Sequence, residues 1–239
     1  MSTVLASTGP SVYWYLTRAS GTVALILLSG AIVLGIIDVR RWSTPRWPRF
    51  IVDSLHRNVS LLAMVFLGIH ILTSVLDSFA PISLLDAFVP FTGSYRPFWL
   101  GLGAAAFDLL LAVTITSLLR QRMGYGTWRA VHWLTYASWP VALLHGLGTG
   151  SDIKSNWMLA ITLVCLAAVL AAVLVRVIAA WRQYPDRSRT ALAGTGIFTL
   201  ALVLWLPSGP LGSEWARRSG TPSALLPHSH GQTTSKGSR

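Results

Sequence analysis

The chain has 239 residues, of which 53% are hydrophobic and only 11% are charged, and its formal net charge is +11. A soluble domain usually carries about a quarter charged residues, so this composition excludes a disordered chain, a fibrous repeat and an ordinary soluble enzyme. The single cysteine, Cys165, excludes an intramolecular disulfide, a cysteine-rich zinc site and a cysteine-ligated iron–sulfur cluster. We therefore expect an all-α polytopic membrane protein, with too few polar residues for a nucleic-acid-binding face.

Six stretches of the chain approach the roughly 20 apolar residues that cross a bilayer core of ~30 Å as a helix. In chain order they are residues 19–37, 59–76, 98–119, 130–148, 157–180 and 191–207. They predict a six-helix transmembrane bundle over residues 14–207, preceded by an external segment at residues 1–13. Residues 208–239 are rich in Ser, Gly, Thr and Pro without a hydrophobic period, so we expect a disordered external tail.

The cations are distributed unequally between the loops. Eleven arginines lie in or beside the loops after the first, third and fifth spans, whereas the two alternate loops hold one cation each, Arg96 and Lys154. Cytoplasmic loops are enriched in Lys and Arg, so we expect the arginine-rich loops to be cytoplasmic. Both termini of this multi-pass protein are then predicted to lie outside the cell membrane.

Four of the six histidines lie in or at the edge of the second and fourth spans: His56, His70, His132 and His145. Ionisable residues inside a membrane are costly and usually functional. The two spans run in the same direction, and the 14- and 13-residue spacings each correspond to ~20 Å along a helix. His56 and His132 should therefore share the inner depth, and His70 and His145 the outer depth. Two imidazoles at one depth suit a six-coordinate b-type haem, and two depths suit two haems.

The two spacings differ in helical phase. A 14-residue step returns within ~40° of the same helix face, whereas a 13-residue step misses that face by ~140°. Pro140 lies between His132 and His145, and Gly146 follows His145. A proline kink or a loosened helix end is the expected means of re-aiming one of these side chains.

Two other interpretations remain open. In the first, a metal or proton transporter uses the four histidines along a path, but such a path would favour neighbouring carboxylates and residues 59–76 and 130–148 contain none. In the second, the chain is a membrane scaffold without a cofactor, which leaves four intramembrane histidines unexplained.

Haem carries two propionates, and arginine forks suit carboxylates. Arg57 and Arg129 adjoin the inner histidines, and Arg18 and Arg96 lie near the outer edge, so all four are candidate haem-binding residues. For Arg57 and Arg129, the positive-inside bias is an equally good explanation. Asp108, in the middle of the third span, is a candidate for redox tuning, proton relay or a structural hydrogen bond.

The paired pattern, His-x13-His in one span and His-x12-His in a parallel one, resembles the ferric-reductase-like transmembrane superfamily over residues 14–205. That superfamily includes the membrane domains of NADPH oxidases and ferric reductases, and the haem-binding membrane subunit of the bacterial methionine sulfoxide reductase system. The resemblance implies a transmembrane electron carrier with one or two b-type haems. His56 and His132 would ligate the inner haem iron, and His70 and His145 the outer one.

The chain departs from this family in two ways. The family usually places its histidines on the third and fifth of six helices, whereas here they lie on the second and fourth. Its enzymes also carry a cytosolic flavin and NAD(P)H module after the last span, whereas residues 208–239 are predicted to be external. The resemblance therefore implies a separate donor, a cytosolic flavin reductase or reduced flavin on the cytosolic side, and an external acceptor, ferric iron or a redox protein. Membrane lipid is the other expected partner, and nucleic acid is not one.

Overall fold

The computed structural model describes residues 11–39 and 49–226, and the regular elements within these ranges are helices. The helices are α1 (Val12–Val39), α2 (Arg49–Leu76), α3 (Leu84–Phe88), α4 (Pro97–Leu118), α5 (Tyr125–His132), α6 (Thr135–Thr149), α7 (Asn156–Ala180), α8 (Pro185–Trp205) and α9 (Trp215–Arg218), followed by a 3₁₀ turn at Ser223–Leu225. Prolines begin α4 and α8 at the first turn, where the missing N–H leaves no helical bond unmade.

Five of these helices, α1, α2, α4, α7 and α8, are long and apolar enough to cross a membrane. The expected all-α polytopic membrane fold is therefore confirmed. The fourth expected span, residues 130–148, requires a correction because it is not one continuous helix. It is divided between α5 and α6, with Trp133 and Leu134 between them.

Between α5 and α6 the backbone forms a turn that is narrower than an α-helix. Backbone N–H groups donate to the carbonyl three residues back, as in a 3₁₀ turn, at Leu134, Tyr136 and Ala137. Pro140 lies inside α6 and does not end it. The interruption that separates the helix of His132 from the helix of His145 therefore lies at Trp133 and Leu134, and the 13-residue step does not follow a single helical face.

The packed core lies where α1, α6, α7 and α8 meet. Ile36 of α1 and Leu143 of α6 are almost completely buried there. The indole N–H of Trp139 donates to Ser29 Oγ across 2.9 Å, which satisfies a buried polar group. The outer faces of the long helices expose large apolar side chains such as Leu163, as expected for a surface in contact with lipid.

Helix α1 packs against α2, α6 and α7, and α4 packs against α6 and against the short helices α3 and α5. Helix α1 thus packs beside the histidine-bearing helix α2, and α4 packs beside the histidine-bearing helices α5 and α6. The histidines of α2 can thus face those of α5 and α6 across the bundle.

The prediction of a disordered tail is wrong for residues 208–226. Here the chain forms turns, α9 and the 3₁₀ turn, and folds back over the end of the bundle that carries His70 and His145. Trp215 Nε1–H donates to the Gly148 carbonyl over 3.0 Å, and Lys154 Nζ donates to the Gly212 carbonyl over 3.0 Å. Residues 227–239, the first ten residues and residues 40–48, which include three of the loop arginines, lie outside the described ranges.

Candidate functional site

The structure brings the four intramembrane histidines together as two pairs. The ring centroids of His56 and His132 are 6.3 Å apart with an interplanar angle of 74°. The ring centroids of His70 and His145 are also 6.3 Å apart, at 84°. The division between α5 and α6 therefore yields two equivalent pairs despite the unequal sequence spacings.

Three of these imidazoles are held by a backbone carbonyl of a neighbouring helix. The Nδ1 atoms lie 2.9 Å from the Ala31 carbonyl for His56, 2.7 Å from the Thr17 carbonyl for His70 and 2.9 Å from the Trp99 carbonyl for His145. A carbonyl only accepts, so the proton lies on Nδ1 and Nε2 carries the lone pair. Metal-bound imidazoles in proteins usually have this second hydrogen bond, which fixes the tautomer and the ring orientation.

The fourth imidazole, His132, is held in a different way. Its Nδ1 is buried and has no hydrogen-bond partner within the described part of the chain. The ring stacks on Trp128, one turn earlier in α5, at 5.0 Å and 28°. Trp128 in turn donates its indole N–H to Ser117 Oγ on α4 over 3.3 Å. Aromatic stacking therefore orients this ring where a carbonyl orients the other three.

The spacing within each pair can be compared with what a shared metal requires. Two imidazoles that bind one metal from opposite sides, at about 2 Å from each ring nitrogen and about 1.15 Å from nitrogen to ring centroid, have centroids about 6.3 Å apart. Both observed pairs have this separation. The donor set also fits haem iron, since imidazole nitrogen is one of its common axial ligands.

The pair of His70 and His145 lines a large cavity of about 950 Å³. His70 and His145 contribute to its wall, together with Arg18, Arg96 and the backbone and side chains of α1, α2 and α4. A volume of this size suits a large organic ligand. His56 and His132 are not part of this wall.

Arg18 and Arg96, predicted near the outer edge, both reach this cavity but are engaged differently. Arg18 forms an ion pair with Asp152, and its guanidinium lies 3.8 Å from the Trp14 ring centroid. Arg96 is buried; its Nη1 donates to the carbonyls of Gly148 and Thr149, each over 3.0 Å. Much of the Arg96 fork thus binds backbone of the protein itself.

The remaining sequence candidates lie away from this wall. Arg57 follows His56 on α2 and Arg129 lies on α5, and both side chains are exposed. Asp108 is half-buried in the middle of α4. The structure adds residues that the sequence pattern did not single out as site residues: the carbonyl-bearing Thr17, Ala31 and Trp99, and the stacking Trp128.

Comparison with known families gives one match. A family model described as the ferric reductase like transmembrane component matches residues 20–143. The match includes His56, His70 and His132, and it ends two residues before His145. No curated protein and no solved structure matches the chain.

Proposed function

The chain belongs to the ferric reductase like transmembrane family, whose membrane component indicates a transmembrane electron-transfer role, and from this premise we propose that it is a b-type haem electron carrier. Electrons would come from a cytosolic donor that depends on flavin or NAD(P)H. They would leave to ferric iron or to a redox protein outside the membrane. The observation that carries the proposal is the pair of 6.3 Å imidazole separations at two depths.

His56 with His132, and His70 with His145, are the residues that would hold the haem iron. When bound there, haem would supply one-electron oxidation and reduction at its iron. The carbonyls of Ala31, Thr17 and Trp99 hold three of the imidazoles in the tautomer that leaves Nε2 free to coordinate. These hydrogen bonds also raise the basicity of the coordinating nitrogen, which favours the oxidised metal.

The surrounding helices would exclude water from both pairs. The outer cavity is lined largely by apolar groups of α1, α2 and α4, among them Leu25, Leu67 and Phe107. A dry, apolar shell restricts solvent access and influences both redox potential and side reactions. Arg18 lines the cavity and remains the proposed partner of an outer propionate, alongside its ion pair with Asp152. Arg57 and Arg129 are the proposed partners of an inner one, since both are exposed beside their histidines.

The orientation is proposed from the distribution of charge. The arginine-rich loops would face the cytosol, so that the His56 and His132 pair is nearer the donor and the cavity with His70 and His145 is nearer the acceptor. Both termini would lie outside the cell membrane. The basic cytosolic face would also favour an acidic redox partner.

A transporter is the alternative function, and the structure gives it less support. Within residues 11–39 and 49–226, no group of three or more His, Cys, Asp or Glu side chains forms a potential metal site. Asp152 beside the outer cavity is paired with Arg18, and Asp77 accepts a hydrogen bond from Ser11 Oγ over 2.8 Å. These carboxylates have structural partners.

The test is a reduced-minus-oxidised spectrum of the protein purified from haem-replete cells, with haem quantified as the pyridine haemochrome. We expect low-spin b-type bands and two haems per chain. A colourless preparation would contradict the proposal. A transporter would instead show histidine-dependent uptake of metal or protons by vesicles without any haem bands.

Single histidine variants test the assignment of the pairs. His70→Ala should lose the outer haem, keep the inner one reducible by photoreduced flavin, and fail to reduce an external ferric chelate. His56→Ala should lose the inner haem. His228→Ala, at a position outside the described ranges and distant in sequence from the spans, is the matched control and should retain both. Retention of both haems by His70→Ala would show that the pairs are wrongly assigned.

A further inference from the structure

Three of the four imidazoles lie directly against a glycine of the neighbouring helix. An added Cβ would lie 2.5 Å from the His145 ring at Gly103, 2.8 Å from the His70 ring at Gly21 and 3.1 Å from the His56 ring at Gly35. Real Cβ atoms essentially never show contacts below 3.0 Å, so alanine at Gly103 or Gly21 would displace the ring. The third contact, at Gly35, is tight but requires a smaller adjustment.

Each of these glycines has the same register relative to the carbonyl that holds the ring. Gly103 is four residues after Trp99, and the same step separates Gly21 from Thr17 and Gly35 from Ala31. In a helix the Cα–Cβ bond tilts toward the N-terminus, so a side chain covers the preceding turn on its face. Glycine at this position leaves the carbonyl one turn earlier open, and the imidazole N–H can share an oxygen that already accepts a helical bond.

The register repeats along α1. Thr17 and Ala31 are 14 residues apart, as are Gly21 and Gly35 and the two histidines of α2. Because α1 and α2 are helices with the same rise per residue, equal steps match the two contacts at both depths. Two contacts with identical register, ~21 Å apart, are difficult to attribute to chance packing.

The fourth imidazole supplies an internal contrast. On α4, the residue 14 positions after Gly103 is Ser117, whose Oγ accepts the indole N–H of Trp128. The carbonyl four residues before it, that of Val113, accepts a hydrogen bond from Thr116 Oγ1 over 3.1 Å. Where serine replaces glycine, the histidine Nδ1 is thus left without a carbonyl, as His132 shows.

We propose that Gly21, Gly35 and Gly103 are positioning residues that admit the imidazoles to backbone carbonyls and so fix the tautomer and plane of three haem ligands. This inference rests on the proposed haem-carrier function. The near-perpendicular ring planes of 74° and 84° are part of what the glycines maintain. Perpendicular axial imidazoles give oxidised low-spin haem a strongly anisotropic electron paramagnetic resonance signal.

Alanine variants test this role against matched controls. Gly103→Ala and Gly21→Ala should change the signal and lower the occupancy of the outer haem, and Gly35→Ala should affect the inner haem. The expected order of severity is Gly103, then Gly21, then Gly35, following the contact distances. Two controls should leave both haems unchanged: Gly30→Ala, where the added Cβ lies 3.9 Å from Val59, and Gly68→Ala, where nothing lies within 4 Å.

The readouts are haem content by pyridine haemochrome and the paramagnetic spectrum of the oxidised protein. Retention of the other haem in each variant serves as the control for folding. An unchanged spectrum in haem-replete Gly103→Ala, or equal loss of both haems in Gly103→Ala and Gly30→Ala, would overturn the role of the glycines. Wild-type protein without haem would instead contradict the proposed function, and the inference with it.

Discussion

Arg96 is predicted to hold the segment at residues 215–221 over the end of the bundle that carries His70 and His145. The side chain is 7% exposed, and its Nε donates to Thr221 Oγ1 over 2.9 Å. Its Nη1 donates to the carbonyls at the end of α6, and its backbone N–H donates to the Gly220 carbonyl over 3.0 Å. Arg96→Met keeps an apolar stem of similar length but removes every side-chain hydrogen bond.

The expected cost follows from the side-chain bonds that join Arg96 to this segment. Only Nε donates to the segment, at Thr221 Oγ1, because both Nη1 bonds end on carbonyls of α6. A hydrogen bond from a charged group contributes about 1.5–3 kcal/mol, so the substitution should lower the free energy of local opening by that amount. At about 1.4 kcal/mol per factor of ten, this corresponds to exchange about 10- to 100-fold faster.

Hydrogen–deuterium exchange with peptide-level mass spectrometry measures this change directly. Amides of residues 215–221 in Arg96→Met should exchange about 10- to 100-fold faster, while α7 stays unchanged. Arg217→Met, an exposed change in the same segment, is the matched control. Exchange within threefold of the wild-type rate would refute the argument. Loss of outer haem without faster exchange would indicate that Arg96 acts on a propionate instead.

Two further predictions concern stability. Leu143→Ala in the core should lower the thermal midpoint and cost about 2 kcal/mol, which is the cavity term alone, ~24 cal/mol per Å³ over ~80 Å³. The transfer term of a soluble core is left out because lipid is as apolar as the leucine side chain. The 57% exposed Leu163→Ala should leave the midpoint unchanged. Burial alone raises the pKa of Asp86, but hydrogen bonds from the backbone and hydroxyl of Ser83 and from Thr92 hold that pKa below 3.8. A lowered carboxyl pKa stabilises the fold above the unfolded value and the effect is lost as pH falls through the folded value. Asp86→Asn should therefore reduce amide protection of α3 at pH 6, and this difference from wild type should disappear as pH falls through the folded pKa of Asp86, which lies below 3.8. A difference that persists in acid would contradict the reasoning.

Much of the fold could be predicted from the sequence because it depends on local composition. Apolar runs near 20 residues gave the long helices α1, α2, α4, α7 and α8. The division at Trp133 and Leu134 was missed, since a run of apolar residues has no periodic signal for a 3₁₀ turn. The ordered segment at residues 208–226 was missed as well. Its order depends on hydrogen bonds to Gly148 and Arg96, which are distant in sequence.

The candidate site likewise combines features that the sequence predicts with features that depend on how the helices pack. The spacing of His56 and His70 determined how far apart they lie along α2, because the rise along a helix is constant. The glycines that lie against them carry a detectable signal, the 14-residue step from Gly21 to Gly35 that equals the histidine step. That equality becomes meaningful only once α1 is known to pack against α2, and many glycines in membrane helices have no such role.

The sequence by itself determined that this chain is a membrane protein and how far apart its histidines lie along the chain, and its cations indicate which loops are expected to be cytosolic. Only the tertiary structure decided that His70 meets His145 at the same 6.3 Å as the inner pair, which carbonyls hold the rings and which arginine is engaged by backbone. The reason is physical: depth along a helix follows from chain length, whereas the distance and rotation between two helices follow from how their surfaces pack.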